Sequence, residues 1–398
     1  MTAADGGEPE RSRAGGVTRR EVITGAVALG VGVGVDRAIG AGGGSGSGHP
    51  PKPLRGEPRS FRAVPFHGTH QAGIATPAQE YLTFAAFDLT ARSRARLRSL
   101  MIAWTRAAAQ LTAGEPYRVS GAGGAPLGSR APADTGEAVG LPPAALTLTF
   151  GFGPSLFSSS SGLGLGASVP AELQPLPPFE GERLEPARSG GDLCVQACAN
   201  DPQVAFHAVH VLRRIAAGAA RLRWSQLGFG RTSATSRNQE TLRNLTGFKD
   251  GTDNIHGEDA ARMDRFVWVG AAEGPPWMVG GSYLVARRIS ILFDSWDATS
   301  LHEQERTIGR HKHSGAPLGR EAEYDPLDLH AREADGSPTI PNDAHVRIAS
   351  PESNEGQRIL RRGYSYSEAT GDDGGELDAG LFFIAFQRSV ERQFVPLQ

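Results

Sequence analysis

From Tyr81 to Leu89 apolar and polar positions alternate well enough for a half-buried strand, and after Thr90, a residue suited to N-capping, the period lengthens to that of a helix. Leu97, Leu100, Met101, Trp104, Ala108 and Leu111 form one apolar stripe, while Arg92, Arg94, Arg96, Arg98 and Arg106 lie mostly off it on a solvated face. After a long Gly/Pro/Ala loop, Ala145 to Phe150 reads as a strand. A Ser/Gly/Pro-rich stretch then runs to Gly191, and Leu193 to Ala199 reads as a third strand. Asp201-Pro202 opens a helix with Val204, Ala208, Val211 and Ile215 on one face, and Arg221 to Phe229 makes a fourth strand. Strand, helix, strand, strand, helix, strand is the ferredoxin-like plan.

From Thr241 the pattern starts again. Ser282 to Phe293 reads as a long strand, Thr299 to Gly309 as a polar helix, His345 to Ala349 as a short strand and Leu381 to Gln387 as a strongly apolar strand. The expected fold class is α+β, with two ferredoxin-like domains at 59–230 and 231–398. A chain of 398 residues with 39% hydrophobic content can bury cores for both.

Residues 1–58 read as lying outside the fold. Thr18-Arg19-Arg20-Glu21-Val22 and the weakly hydrophobic run Ile23 to Val35 have the basic start and short apolar core of a twin-arginine export signal, with Ala41 a candidate end. The run is too short to span a bilayer. Gly42 to Gly48 and the Pro-rich Pro50 to Pro58 read as a flexible tether. The expected location is periplasmic or extracellular, reached through the twin-arginine export machinery.

Composition narrows the function. A formal charge of −2 without a sustained basic block argues against nucleic acid as a partner. Cys194 and Cys198 are too few for a disulfide framework, and on one strand they stand roughly 13 Å apart, beyond disulfide reach. They read as buried small residues. His207 and His210, three apart on the second helix, suit packing or metal ligation.

The densest run of special residues is Thr246-Gly247-Phe248-Lys249-Asp250-Gly251-Thr252-Asp253-Asn254. No hydrophobic period fits it, so it reads as a tight loop whose glycines hold one carboxylate at a fixed angle. Gly247-Phe248-Lys249-Asp250-Gly251 resembles the Gly-x-x-Asp-Gly signature of dye-decolourising peroxidases, DyP-type haem enzymes, including the exported bacterial branch with the deferrochelatase/peroxidases. Two further segments resemble that family in the same order: Asn342-Asp343-Ala344-His345-Val346-Arg347, similar to its haem-ligand segment, and Ile359-Leu360-Arg361-Arg362-Gly363-Tyr364-Ser365-Tyr366, similar to its distal-arginine segment.

The resemblance implies two ferredoxin-like domains of the dimeric α+β barrel type, the second holding haem b (heme b). It also implies a second domain shortened at the C-terminus, because relatives usually continue through a last helix and strand. His345 is the implied axial iron ligand, with Asp378 as the carboxylate that would receive its other ring N–H. His311 and His313 are the competing pair, although the basic surroundings of Arg310-His311-Lys312-His313 suit a haem propionate or a solvated turn better than iron. Asp250 would carry the proton and Arg361 would stabilise developing negative charge, with Arg362 the adjacent alternative. Gly251, Thr252 and Asp253, and likewise Ser350, Pro351 and Glu352, resemble the haem-contacting segments, and Phe383 and Leu381 could wall the macrocycle. Gly363 stands where some relatives carry a polar distal residue.

The implied activity is reduction of hydrogen peroxide with oxidation of a bulky phenolic or dye-like aromatic donor. Such donors are too large for the cavity, so electrons would pass through Trp268, Trp277, Trp296, Tyr364 or Tyr366. The alternative is a deferrochelatase-like protein releasing iron from haem outside the cytoplasm. A non-haem ferredoxin-like binding domain would leave Asp250, His345 and Arg361 on the surface. A homo-oligomer is a possible state of any of these.

Overall fold

The computed structural model describes residues 62–119, 131–368 and 377–398, so the expected export signal and tether lie outside the described residues. Strand β1 (Tyr81–Leu89) leads to helix α1 (Arg94–Thr112), then β2 (Thr147–Phe152), β3 (Leu193–Ala199), α2 (Pro202–Ala216) and β4 (Ala220–Arg231). These strands pair antiparallel in the order β2-β3-β1-β4, the ferredoxin-like arrangement expected from the pattern.

Alternation along β1 builds two cores. Ala85 and Phe87 face α1 and α2 together with Trp104, Leu148 and Val195, while Leu82 and Phe84 face the opposite side with Tyr364, Phe382 and Phe386. Burial of a side chain such as Phe87, 0% exposed, is worth about 1.5–3 kcal/mol. Trp104 also donates its indole N–H to Leu212 O at 2.9 Å, tying α1 to α2. Truncating it to Ala would cost about 3–5 kcal/mol.

Several boundaries differ from the sequence expectation; the strand expected to run to Phe293 ends at Ser290, and Phe293 opens a helix. Thr90 is not the cap of α1, because its N–H and that of Ala91 donate to Ala219 O, which holds this segment against the start of β4; Ser93 takes the N-cap position. Strand β2 begins two residues later than expected. By contrast, Asp201 caps α2 as its sequence indicates, accepting from Gln203 N and Val204 N at 2.8 and 3.0 Å ahead of Pro202.

The second half contributes α3 (Ala260–Phe266), β5 (Tyr283–Ser290), α4 (Phe293–Asp297), α5 (Leu301–Ile308), α6 (His345–Ile348), β6 (Leu360–Arg361), β7 (Tyr364–Glu368) and β8 (Asp378–Gln387). As expected, α5 is a polar helix, capped by Ser300, whose hydroxyl accepts from Glu303 N, and closed by Gly309 in the left-handed region. His345 to Ala349 is not a strand. Its backbone closes helical turns, with Ile348 N donating to Ala344 O and Ala349 N to His345 O.

The two expected sheets are joined into one. The end of β4 pairs with β7 through Phe229↔Ser365 and Arg231↔Tyr364, extending the order to β2-β3-β1-β4-β7-β8-β5, with β6 alongside β8. Gly228 allows this approach, since a Cβ there would lie 2.7 Å from the Tyr364 Cβ. The first-half sheet is thereby anchored beside the segment that carries Arg361.

Candidate active site

Asp250 sits at the end of a tight loop whose geometry follows from its residues. Asn244 Oδ1 accepts from Thr246 N and Thr246 Oγ1 at 3.0 and 2.6 Å, and Gly247 adopts φ 84°, a left-handed conformation that turns the chain. Phe248, 2% exposed, anchors the loop edge-on against Trp296 with ring centroids 6.0 Å apart. Lys249 pairs with Glu323, which also accepts from Thr252 Oγ1 at 3.1 Å, so side chains on both sides of Asp250 are fixed. Gly251 has φ 91°, and a Cβ there would lie 2.8 Å from Ser233 Cα. The close backbone approach at Gly251 is therefore to the Ser233 main chain.

Asp250 Oδ1 accepts from Arg361 Nη1 at 2.8 Å, and its Oδ2 accepts from Asn244 Nδ2 at 3.3 Å. The side chains of Arg361 and Asp250 are 27% and 14% exposed, so this charge-assisted bond is partly shielded from water yet open to a ligand. Arg362 points the other way. It is fully buried, donates to Thr76 O and Gln79 Oε1, and its backbone N–H donates to Ile384 O. Strand alternation thus separates the two adjacent arginines, and Arg361 is the one that meets Asp250.

His345 begins the short turn α6. Arg347 holds this turn by donating to the carbonyls of Leu329, Ile340 and Pro341 at 2.7–3.1 Å. The His345 side chain is exposed by area and accepts or donates no hydrogen bond among the described residues. Even so, desolvation by surrounding protein is the first cause that pulls its pKa below the ordinary 6.5; the Arg361 charge lowers it further and the Asp250 charge opposes both. Residues 250, 345 and 361 thus lie within Coulombic reach of one another.

The other expected site residues have partners or positions of their own. Asp253 pairs with Arg358 at 3.0 Å. Ser350 is buried and accepts from Ser353 N, closing the turn that Pro351 continues, while Glu352 is exposed and pairs with His330 Nε2 at 3.1 Å. Asp378 is not the partner of His345: both its oxygens accept from Arg288 Nη2 at 2.6 Å, because its position at the start of β8 places it next to β5. His311 Nδ1 is engaged with Glu305 Oε2 at 3.1 Å, and His313 is exposed. A Cβ at Gly363 would meet Thr232 Oγ1 at 2.7 Å, so a larger polar residue does not fit there without displacement.

Sequence reasoning gave Arg310 no role of its own. It is 8% exposed, and among the described residues only its Nη1 is used, donating to Gly315 O and Glu323 O at 2.7 and 3.0 Å. Burial lowers its pKa first; Asp253 and Glu323 raise it, and Arg361 lowers it again, which places it within Coulombic reach of Arg361. Its position after the left-handed Gly309 was the available signal. His207 and His210 both bond Glu137, at 2.8 and 2.6 Å, and hold the 131–141 segment to α2; among the described residues no group of three or more His, Cys, Asp or Glu is arranged to hold a metal ion. Cys194 and Cys198 are free, as expected.

Residues 71–230 match the family model described as Dyp-type peroxidase, N-terminal, and residues 241–398 the one described as Dyp-type peroxidase, C-terminal. The chain is similar to the dye-decolorizing peroxidase of Thermobifida fusca, 40% identical over 342 residues, which cover 82% of this chain and 74% of that protein. It is also similar to the deferrochelatase of Escherichia coli strain K12, 38% identical over 339 residues, 84% of this chain and 78% of that one. Among solved structures, ferric DtpA from Streptomyces lividans superposes with a TM-score of 0.76 at 40% identity, over 87% of this chain and 89% of that chain.

Proposed function

The chain belongs to the DyP-type peroxidase family, haem enzymes that use hydrogen peroxide to oxidise organic donors, and from that premise we propose that His345 would ligate the haem iron while Asp250 and Arg361 act on the peroxide. The observation that supports this reading is the 2.8 Å bond from Arg361 to Asp250, beside which the His345 imidazole feels both charges and is biased to its neutral form by desolvation and by Arg361. A neutral imidazole is the form that ligates haem iron.

The residues present fit the cofactor. His345 would supply a nitrogen to the iron, and Arg310, buried with donors to spare, would hold a propionate. When bound, haem supplies the two-electron reduction of peroxide. Asp250 accepts a proton from one peroxide oxygen and returns it to the other, which leaves as water. Arg361, always charged, stabilises the negative charge on the departing oxygen and holds the Asp250 carboxylate in place. Two one-electron donors complete the balance: one peroxide, two electrons and two protons give two waters.

Bulky phenolic or dye-like donors are the proposed substrates, and the 40% identity to a dye-decolorizing peroxidase supports this class. Trp296 is the proposed surface entry for their electrons. It is half-buried, packs on Phe248 and donates its indole N–H to Thr246 O at 3.3 Å, which ties it to the loop that carries Asp250. Tyr364 and Tyr366 are fully buried and Trp268 nearly so, so they do not meet a surface donor. The 38% identity to a deferrochelatase supports a second reading of the same pocket, release of iron from haem. Arg19-Arg20 and the apolar run after them support export by the twin-arginine pathway to the periplasm or beyond.

The visible spectrum of the haem-loaded protein, before and after one equivalent of peroxide, tests the proposal. A Soret band that changes with peroxide, followed by turnover of a bulky anthraquinone dye, is expected. Free iron with protoporphyrin left behind, and no dye turnover, would favour the second reading; absence of haem uptake would overturn both.

A further inference from the structure

We propose that Asn254 is a positioning residue that fixes Arg361 against Asp250, a claim that rests on the peroxidase reading above. Strand β6 has only two residues and pairs with β8 on one side, where the Arg362 N–H donates to Ile384 O. The Arg361 N–H and C=O therefore point to the other side, where no strand lies beside β6 among the described residues. The Asn254 carboxamide takes both: Oδ1 accepts from Arg361 N at 2.9 Å, and Nδ2 donates to Arg361 O at 2.8 Å. The second Nδ2 hydrogen goes to Ala234 O at 2.9 Å. Both donors of the amide are used and its oxygen is engaged, which also fixes its orientation, since its nitrogen faces two carbonyls and its oxygen an N–H.

Asn254 is 3% exposed and lies four residues beyond Asp250, at the end of a turn closed by its own N–H donating to Gly251 O at 3.2 Å. One side chain thus joins the backbone bearing the proposed proton carrier to the backbone bearing the proposed charge stabiliser. The 2.8 Å contact between Asp250 Oδ1 and Arg361 Nη1 inherits its geometry from this link. Asp cannot substitute while ionised, because a carboxylate would face the carbonyls of Arg361 and Ala234 without a donor.

The test uses the haem-loaded protein with Asn254→Ala, Arg361→Leu and the double variant. Misplacement of a catalytic group by about 1 Å costs up to about 10²-fold, so Asn254→Ala should slow the Soret change on mixing with peroxide about 10- to 100-fold at unchanged haem content. In the Arg361→Leu background the same substitution should cost less than about twofold, because the residue it positions is gone. Hydrogen exchange supplies a readout independent of activity: one additional fast amide is expected in the peptide containing Arg361. Asn254→Asp is the second variant; its slow reaction should recover as acid protonates the carboxyl and restores a donor, which a loss of packing alone would not do. A wild-type rate in Asn254→Ala, or the same loss with and without Arg361, overturns the proposal. If Arg361→Leu itself reacts at the wild-type rate, the peroxidase role of Arg361 fails, and exchange decides the positioning claim: fast exchange upholds it and unchanged exchange overturns it.

Discussion

Replacing Asp250 with Asn separates chemistry from architecture at this site. The amide has the size of the carboxylate, and its oxygen can still accept from Arg361 Nη1, now 2.8 Å from Asp250 Oδ1. What changes in the fold is the difference between a charged and a neutral hydrogen bond, about 1–2 kcal/mol, and the loss of the 3.3 Å bond from Asn244 Nδ2, whose donor would face the new NH2; together they lower Tm by a few degrees in a chain of this size. What changes in the chemistry is the loss of the only carboxylate bonded to Arg361 among the described residues, and general acid–base groups contribute about 10²–10⁴-fold. Stopped-flow mixing of fully haem-loaded Asp250→Asn with peroxide should therefore show a Soret change slowed by about 10²–10⁴, beside a nearly native melting curve. Arg361→Leu should slow it by about 10²–10³, and the double variant by less than the product, because the two groups act as a bonded pair. Wild-type rates in both single variants with full haem would show that the 247–254 loop is structural and would refute the mechanism.

His345→Ala should lose most bound haem, measured by pyridine haemochrome content, because the axial bond is the strongest link between protein and iron; full haem and full activity would move the assignment to His313. Replacing Arg19 and Arg20 with Lys should leave the protein in the cytoplasm on cell fractionation, since that pathway reads the pair and not the charge alone. Glu137 gives a pH test in the first half of the chain. Burial raises its pKa, but hydrogen bonds from Thr135, His207, its own backbone and His210 outweigh this and lower it from 4.5 to about 2. Its stabilisation is therefore fully present above about pH 4.5 and lost as pH falls towards 2. The Tm gap between wild type and Glu137→Gln should close across that window, and a gap that persists at pH 2 would contradict the assignment.

Elements set by local chemistry were legible before the structure. Leu193 to Ala199 has the apolar run of a strand buried on both faces, and Asp201-Pro202 carries its own helix start. His345 to Ala349 misled because Ala344-His345-Val346-Arg347-Ile348 alternates like a strand over a span too short to separate periods of 2 and 3.6. Its turn is instead set by Arg347, which caps carbonyls of Leu329, Ile340 and Pro341. Asp250 and Arg361 were recognisable from their motifs, but the choice between Arg361 and Arg362 needed the register of β6 against β8. Asp378 could not be assigned from sequence because its partner, Arg288, comes from a strand paired beside it in space. Asn254 was visible only as the last residue of the special stretch; its bonds run to residue 361, and no local pattern encodes them.

The claim that residues 250, 345 and 361 lie within electrostatic reach of one another can be measured directly by following the His345 ring proton through a pH titration in the haem-free protein. Desolvation and the Arg361 charge hold the imidazole pKa below 6.5, while Asp250 opposes them. The neutral ring makes the fold less stable as pH drops below about 6.5, where the unfolded chain takes up a proton that the folded one refuses. Arg361→Leu should raise the His345 pKa towards 6.5, and Asp250→Asn should lower it further, two shifts of opposite sign at one nucleus. A His345 resonance that titrates identically in wild type and both variants would place the imidazole outside the reach of either group and would contradict the account.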